Sequence, residues 1–209
     1  MTLKDQAYHV LRQEIVTQKL EPGTPLKELD VAERLKMSRT PVREAIKRLV
    51  QEGLAVSYSS RSTFVSKINP KDVEEIFTVR TALELLALQI SFDKISQREI
   101  ENIQVAYQDL QTNFSYQAAY DLDLSFHNLW ILNSDNQRLI SILKFLDGQF
   151  ERYRRYSHQV KARSQASIDE HLIILGYIQA KNLEAAEKAL KDHLDNTKYN
   201  IEKDVSTVI

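Results

Sequence analysis

Helix-breaking residues are concentrated at one end of this chain. Three of its four prolines and two of its four glycines lie before residue 54, and after Pro70 the sequence contains no further proline and only Gly148 and Gly176. Proline and glycine end or weaken helices, so their distribution separates a segment rich in turns from one that can form long helices. We therefore predict two domains, 1–68 and 69–209.

The first segment has the pattern of three helices and a hairpin. Apolar residues at helical spacing mark the first helix, Pro22 and Gly23 end it, and Gly53 stands where the third helix needs a carboxyl-terminal cap. Two short runs of strand-forming residues then flank a polar turn at 59–62. The predicted elements are helices over 3–18, 26–35 and 38–52, followed by strands over 55–58 and 63–66. This order is that of a winged helix-turn-helix.

The second segment has helical periodicity throughout, and Ser96 with Glu99 forms a capping box that opens one of its helices. Short connections between successive helices favour an antiparallel bundle. The predicted helices cover approximately 70–92, 96–113, 116–133, 136–158, 165–180 and 183–203. The sequence thus predicts a mainly α protein, a winged helix-turn-helix of three helices and a β-hairpin followed by an all-α six-helix bundle.

Charge is divided unequally between the two segments. The whole chain has a formal net charge of -1. Residues 1–68 contain 12 Lys and Arg against 8 Asp and Glu, whereas residues 69–209 contain 16 against 21. The excess of basic residues therefore lies in the first segment, which favours contact with phosphate there and a different task for the second segment.

The composition also limits the chemistry and the location of the protein. The chain has no cysteine, which excludes disulfides and thiolate metal sites. No run of residues is long and apolar enough for a membrane span, and Lys4, Asp5 and Gln6 stand where a signal peptide would need an apolar core. We therefore expect a cytoplasmic protein.

The third predicted helix is amphipathic in a way that suits DNA. Arg39, Arg43 and Lys47 are spaced by four residues and share one face, while apolar residues occupy the opposite face. The amino-terminal end of such a helix can enter a major groove, where Arg39 and Arg43 can reach guanine or phosphate and Thr40 a phosphate or a base edge. The alternative is a solvated charged face on an ordinary helix. The flanking helices and the hairpin favour the DNA-reading interpretation.

The first segment resembles the GntR family of bacterial repressors. The resemblance rests on LEPGTPL at 20–26, VAERL at 31–35, SRTPVREA at 38–45 and RLVQEGL at 48–54. It implies that the operator is contacted by five residues of the helix-turn-helix, Arg34, Ser38, Arg39, Thr40 and Arg43. Lys36 stands where the family usually has glycine in the turn. Ser62 stands where the wing usually has glycine, and we expect Arg61 beside it to contact the DNA.

One carboxylate and three imidazoles are placed to converge inside the helical segment. Asp123 and His127 are four residues apart and share a helix face, and His171 and His193 lie in line with apolar residues of the last two helices. Four such groups can bind a divalent ion such as Zn²⁺, Ni²⁺ or Mn²⁺. The periodicity is equally compatible with unrelated core histidines, each hydrogen-bonded to its own partner.

The helical segment resembles the ligand-binding FCD domain of the FadR subfamily of GntR regulators, in its shorter, VanR-like branch. The resemblance rests on DLSFH at 123–127, Asn136, EHLIIL at 170–175 and ALKDHL at 189–194. In metal-binding members the ligands are an Asp and three His at these motif positions. The resemblance therefore implies metal ligation by Asp123, His127, His171 and His193, and a small organic acid as effector.

Arg80 lies on an apolar helical stripe and is predicted to point inward. A buried guanidinium needs a partner, and two are open: an internal salt bridge to Glu84 four residues on, or a bound carboxylate. Arg152 and Arg155 are further candidates for the effector pocket.

These observations predict a ligand-responsive transcriptional regulator, most simply a repressor, and not an enzyme. A homodimer would bind a near-palindromic operator, with one recognition helix in each half-site. Two alternatives stay open at this point. One is a metal-dependent hydrolase, in which an Asp/His₃ centre activates water. The other is a metal sensor with no organic effector.

Overall fold

The computed structural model describes residues 1–59, 62–158 and 161–206. The chain divides into two compact units. The first contains Met1–Ile68 together with Phe145–Arg152, and the second contains Asn69–Lys144 and Tyr153–Ile209. The fold class predicted from the sequence is confirmed: in the residues that the structure describes, three helices and a hairpin come first, and six helices follow.

The first unit contains the helix-turn-helix. Its elements are α1 (Leu3–Val16), α2 (Glu28–Leu35), α3 (Arg39–Gln51), β1 (Ala55–Ser59) and β2 (Ser62–Val65). Ser38 is the amino-terminal cap residue of α3. Gly53 has a φ of +71°, the left-handed conformation expected of a helix-ending glycine. Lys36 ends α2 with a φ of 54°, so a lysine occupies a left-handed position that glycine would adopt without strain.

The hairpin is extended by the segment that precedes α2. Strands β1 and β2 pair antiparallel, with Ala55 opposite Val65 and Val56 opposite Phe64. Pro25 bridges to Phe64 on the other side, and the Leu26 amide donates to the Thr63 carbonyl at 2.8 Å. The chain before α2 is thereby fastened to the wing.

The core of the first unit determines which face of α3 is exposed. Val42, Ala45, Ile46 and Leu49 are buried, at most 5% exposed, among apolar residues of α1, α2 and the hairpin. Because these four positions follow helical spacing, the opposite face of α3 is left to solvent. That face is the one predicted to read DNA.

The second unit is all helical in the part that the structure describes. Its residues lie in α4 (Pro70–Ser91), α5 (Gln97–Thr112), α6 (Tyr116–Asn133), α7 (Gln137–His158), α8 (Lys161–Gln179) and α9 (Leu183–Ser206), except that Phe145–Arg152 of α7 are grouped with the first unit. The predicted capping box is present, since the Ser96 hydroxyl accepts from the Glu99 amide and the Glu99 carboxylate accepts from the Ser96 amide. Helix α8 begins earlier than the predicted residue 165, and α9 extends beyond 203.

The core of the second unit is rich in aromatic residues. Trp130 and Phe126 of α6 and Tyr107 of α5 are at most 1% exposed and pack with aliphatic side chains of the other helices. Among the described residues, no helix is both long enough and apolar enough to cross a membrane.

Candidate DNA-reading helix and metal centre

The residues predicted to read DNA lie together at the start of α3. Ser38, Arg39, Thr40 and Arg43 are all exposed. In the described part of the chain, the Ser38 hydroxyl makes no capping hydrogen bond to α3, unlike Ser96, which caps α5. The residue three positions after Ser38 is Pro41, which has no N–H to donate, so the amides at this end of α3 are those of Arg39 and Thr40.

A carboxylate from α2 lies between the two arginines of this surface. Arg43 donates through Nε and Nη2 to the two oxygens of Glu28, at 2.9 and 3.0 Å, and Arg39 approaches the same carboxylate at 3.4 Å. The hydrogen bond from Arg43 is the main reason why the pKa of Glu28 is lowered. The three side chains line an open groove of about 500 Å³.

Two further residues are predicted to contact DNA, Arg34 and Arg61. Arg34 makes a two-pronged ion pair with Glu14 of α1, and the second of its hydrogen bonds is 2.7 Å long. This hydrogen-bonded pair lowers the pKa of Glu14 and raises that of Arg34. Arg61 lies outside the described residues.

Four side chains from three helices of the second unit converge on one point. Asp123 and His127 come from α6, His171 from α8 and His193 from α9, and each is at most 4% exposed. The Asp123 Oδ1 atom lies 3.9 Å from His127 Nε2 and 3.7 Å from His171 Nε2. The Nε2 atoms of His171 and His193 are 3.2 Å apart.

This arrangement fits a divalent metal ion. Each of the four residues offers one ligand atom, and these atoms all lie within 4.8 Å of one another. Two ligands held about 2.1 Å from one ion at a tetrahedral angle are about 3.4 Å apart, close to the observed separations. Three imidazoles and one carboxylate form a donor set that suits Zn²⁺, Ni²⁺ or Mn²⁺.

Two carboxylates, one buried and one partly exposed, orient two of the three imidazoles. His127 donates from Nδ1 to Glu84 at 2.7 Å, and His193 donates from Nδ1 to Glu170, also at 2.7 Å. A proton on Nδ1 leaves the Nε2 lone pair of each neutral ring free to ligate. The outer hydrogen bonds thus fix the tautomer that a metal requires.

The third imidazole is held by aromatic residues. His171 Nδ1 is 2.6 Å from the hydroxyl of Tyr107, and the ring stacks on Phe126 with centroids 3.8 Å apart and an interplanar angle of 21°. The stacking and the hydrogen bond restrict the ring to one orientation, with Nε2 towards His193.

Glu170 is the more accessible of the two orienting carboxylates. Burial by itself would raise its pKa, but the hydrogen bonds from His193 and Arg163 outweigh that effect and lower the pKa to about 2. Arg163 donates to both carboxylate oxygens at 3.0 Å, and Asn196 donates to one of them at 3.0 Å. Glu170 is therefore ionised at neutral pH and holds His193 as an acceptor.

Arg80 pairs with Glu84, which is one of the two partners that the sequence left open for it. The Arg80 Nε atom lies 2.5 Å from Glu84 Oε1, with the two side chains 3% and 0% exposed. The other oxygen of Glu84 accepts from His127 and, at 3.1 Å, from Trp130 Nε1. Arg80 is thereby connected to a candidate metal ligand through one carboxylate.

The two other arginines predicted for an effector pocket lie in different units. Arg152 belongs to the first unit, where its Nη2 donates to the Ser66 carbonyl at 2.9 Å. Arg155 belongs to the second unit, and its guanidinium lies 4.2 Å above the ring of Tyr120. The structure therefore groups Arg155, but not Arg152, with Arg80 in the helical unit.

The sequence motifs do not predict Glu84, Glu170 and Tyr107 as partners of the histidines. The sequence does contain a pattern that could have indicated Glu84 and Tyr107 as buried partners. Glu84 is one helical turn from Arg80 on the inward stripe of α4, and Tyr107 aligns with apolar positions of α5, so both polar groups had to find partners inside. Glu170 is next to His171 in sequence yet bonds to His193, which only the packing of α8 on α9 determines.

Comparison with known families decides the class of protein. Residues 3–65 match the family of bacterial regulatory proteins called gntR, and residues 75–196 match the FCD domain, which covers more than half of the chain. The chain belongs to the GntR family of regulators, in the FadR-like subfamily that carries an FCD domain. The resemblance stated from the sequence motifs is thereby confirmed.

The relatives of this GntR-family protein are transcriptional regulators and not enzymes, which decides against the hydrolase alternative. The HTH-type transcriptional repressor RspR of Escherichia coli K12 is 26% identical over 202 residues, which cover 95% of this chain and 89% of RspR. Among solved structures, Escherichia coli McbR/YncC superposes with a TM-score of 0.78 at 21% identity, covering 97% of this chain and 98% of that one. The latter likeness establishes the fold.

A metal is present in one structural relative of the second unit. The Zn²⁺-bound FCD domain of TM0439 matches with a TM-score of 0.59 and 25% identity, covering 68% of this chain and 99% of that one. Its metal-free form matches with a TM-score of 0.61 and 26% identity over the same shares. An FCD domain related to this one thus binds Zn²⁺, and this chain has a buried Asp/His₃ cluster that can hold a metal.

Proposed function

We propose that this protein is a cytoplasmic, ligand-responsive repressor. It binds a near-palindromic operator as a homodimer through α3 and senses a small organic acid at a metal centre in its helical unit. The family establishes the regulatory role. The observation that supports the sensing role is the convergence of Asp123, His127, His171 and His193 on one buried point.

The amino-terminal end of α3 is the proposed reading element. Arg39 and Arg43 are long, exposed and cationic, and arginine pairs with the O6 and N7 atoms of guanine in a major groove. The hydroxyls of Ser38 and Thr40 and the backbone N–H groups of Arg39 and Thr40 suit a phosphate at the helix end. Arg34 and Arg61 complete the proposed contacts to the backbone and the wing side.

Replacing Arg43 by alanine tests this assignment. Loss of a two-pronged guanine contact costs about 1–3 kcal/mol, which is about 5- to 150-fold in operator affinity. The operator is obtained by in vitro selection with the wild-type chain, and affinity is measured by fluorescence anisotropy. Arg98→Ala, an exposed arginine at the start of α5, is the control and is expected to bind like wild type. Equal affinities for the two variants would contradict the assignment.

The metal ligands proposed for the second unit are the four converging side chains. A divalent ion bound there supplies Lewis-acid positive charge at a buried site. Asp123 contributes one negative charge, while the Arg80–Glu84 and Arg163–Glu170 pairs are internally balanced. One positive charge is then left uncompensated, and burying it is costly. A monoanionic carboxylate is the simplest ligand that neutralises it.

Arg80 and Arg155 are the proposed effector-side arginines. Both belong to the helical unit, and Arg80 reaches a metal ligand through Glu84. Arg152 stays a prediction for the same role, and its described hydrogen bonds are to Ser66, from Nη1 at 3.4 Å and from Nη2 at 2.9 Å. Effector binding is proposed to release the operator, as in a repressor relieved by its ligand.

Metal binding is tested by equilibrium dialysis of the full chain, stripped with a chelator and then exposed to Zn²⁺, Ni²⁺ or Mn²⁺. One equivalent of ion per chain is expected for at least one metal, and His127→Ala is expected to lose it. When the free metal concentration is 100 times the dissociation constant, binding stabilises the fold by about 2.7 kcal/mol, so the melting temperature provides a second readout. Wild type and His127→Ala that retain equal, substoichiometric metal would contradict the proposal. Operator affinity that responds to metal alone would indicate the metal-sensor alternative.

The homodimer is proposed from the two-fold symmetry of a palindromic operator. Helix α4 also exposes Val79, Ala82 and Leu86 at helical spacing, an apolar stripe of the kind that mediates association. Sedimentation equilibrium measures the oligomeric state of the chain directly. A chain that stays monomeric at micromolar concentration would contradict this part of the proposal.

A further inference from the structure

Glu28 is an acidic residue placed within a surface that is otherwise built to attract DNA. Its carboxylate accepts two hydrogen bonds from Arg43 and lies 3.4 Å from Arg39. Its side chain is 26% exposed, whereas those of Arg43 and Arg39 are 48% and 60% exposed. A carboxylate facing phosphate is repelled, so its presence beside both reading arginines calls for a role.

We propose that Glu28 is a specificity-determining residue that orients Arg43 for one base and weakens binding to DNA of unrelated sequence. The inference rests on the proposed DNA-reading role of α3 and adds the residue that controls it. Two features of the geometry support it, the atoms of Arg43 that Glu28 uses and the charge that Glu28 places in the groove.

The first feature is the edge of the guanidinium that Glu28 occupies. Arg43 gives Nε and one hydrogen of Nη2 to Glu28. Its outer edge, formed by Nη1 and the second hydrogen of Nη2, keeps two parallel donors for another acceptor. That edge matches the O6 and N7 pair of guanine. Glu28 therefore fixes the plane of the guanidinium without consuming the donors that read the base.

The second feature is electrostatic. The hydrogen bond from Arg43 lowers the pKa of Glu28, so the carboxylate is ionised at neutral pH. Its charge offsets one of the two positive charges presented by Arg39 and Arg43 in the same groove. Binding to unrelated DNA depends almost wholly on such charge, whereas the correct site adds base contacts. The charge of Glu28 therefore weakens binding to both kinds of DNA, and only at the operator does the guanine contact of the oriented Arg43 offset that loss.

The test is Glu28→Gln in the full chain, which removes the charge and keeps the size of the side chain. Affinity is measured for a duplex selected with the wild-type chain and for a scrambled duplex of equal length, at one fixed salt concentration. The ratio of the two affinities is expected to fall about tenfold, because scrambled DNA binds more tightly and the selected duplex gains nothing. The control is Glu44→Gln, which removes an equal charge from α3. In the wild-type chain the Glu44 carboxylate pairs with Lys47 and not with Arg39 or Arg43. Its ratio is expected to stay within about twofold of wild type.

A double-variant cycle separates orientation of Arg43 from a general effect on charge or folding. In the Arg43→Ala background, Glu28→Gln is expected to change the ratio by less than about twofold, because the oriented side chain is gone. A ratio for Glu28→Gln equal to that of Glu44→Gln, or an unchanged effect without Arg43, would overturn the inference while leaving DNA reading by α3 intact. A wild-type chain that does not distinguish the two duplexes would overturn both.

Discussion

Replacing Glu170 by glutamine is expected to weaken metal binding while leaving the fold in place. The carboxylate accepts a 2.7 Å hydrogen bond from His193 Nδ1, and through it keeps the Nε2 lone pair turned to the cluster. Glutamine has nearly the same size, and its amide oxygen can still accept one hydrogen bond. The variant therefore removes the charge of the outer partner and little else.

The size of the effect follows from this contact. A hydrogen bond to a charged group contributes about 1.5–3 kcal/mol, and an amide acceptor retains part of it. Changes to the outer partners of metal-ligating histidines typically cost about 10- to 100-fold in metal affinity. The two figures agree, since each tenfold change is about 1.4 kcal/mol. We expect Glu170→Gln to raise the dissociation constant for Zn²⁺ by about 10- to 100-fold.

The assay is a competition titration of Zn²⁺ against a chromophoric chelator, with Co²⁺ absorbance as a report on the coordination sphere. Asp169→Asn is the matched control, because it removes the same charge from the adjacent, exposed position of α8. Its affinity is expected to stay within about threefold of wild type. Urea unfolding of the metal-free chains measures the separate cost of leaving Arg163 without its partner.

Equal Zn²⁺ affinities for Glu170→Gln and Asp169→Asn would contradict a role for the Glu170 charge in metal binding. Such a result would mean that packing alone sets the orientation of His193.

Two further predictions concern the first unit. Lys36→Gly is expected to raise the free energy of unfolding by about 0.5–1 kcal/mol in urea titrations. A lysine in the left-handed conformation costs about 1–2 kcal/mol, and glycine removes this cost but loses more backbone entropy on folding, which cancels part of the gain. A loss of stability in the variant would contradict this prediction. Arg34→Ala is expected to lower the melting temperature at pH 7 and to lower it much less at pH 3. Arg34 lowers the pKa of Glu14 in the folded state, so the ion pair contributes stability above the unfolded pKa of Glu14 and loses it as the pH falls through the lower folded pKa. An equal loss of melting temperature at both pH values would argue against the ion pair as the cause.

The helices could be predicted because their signals are local. The capping box at Ser96 and Glu99 and the glycine at Gly53 fix helix ends through contacts a few residues apart. The start of α8 was placed too late, at 165, because the polar residues that begin it at Lys161 carry no apolar stripe.

The candidate metal cluster was predictable in part for the same reason. Asp123 and His127 share a helix face by spacing alone, whereas the approach of His171 and His193 depends on how α8 and α9 pack. Two of the hydrogen-bonded pairs join residues on different helices, His193 with Glu170 and Arg34 with Glu14. Periodicity indicates which side chains point inward but not which of several inward groups they meet.

We propose that a metal-dependent carboxylate site controls DNA binding. The decisive measurement is the affinity of the full chain for its selected operator, by fluorescence anisotropy, with and without Zn²⁺ and with a panel of small mono- and dicarboxylic acids. We predict that at least one acid weakens operator binding about 5- to 150-fold in the metal-loaded protein, and has no effect on the metal-free protein or on His127→Ala. Operator affinity that stays constant with every acid, with and without metal, would contradict the claim.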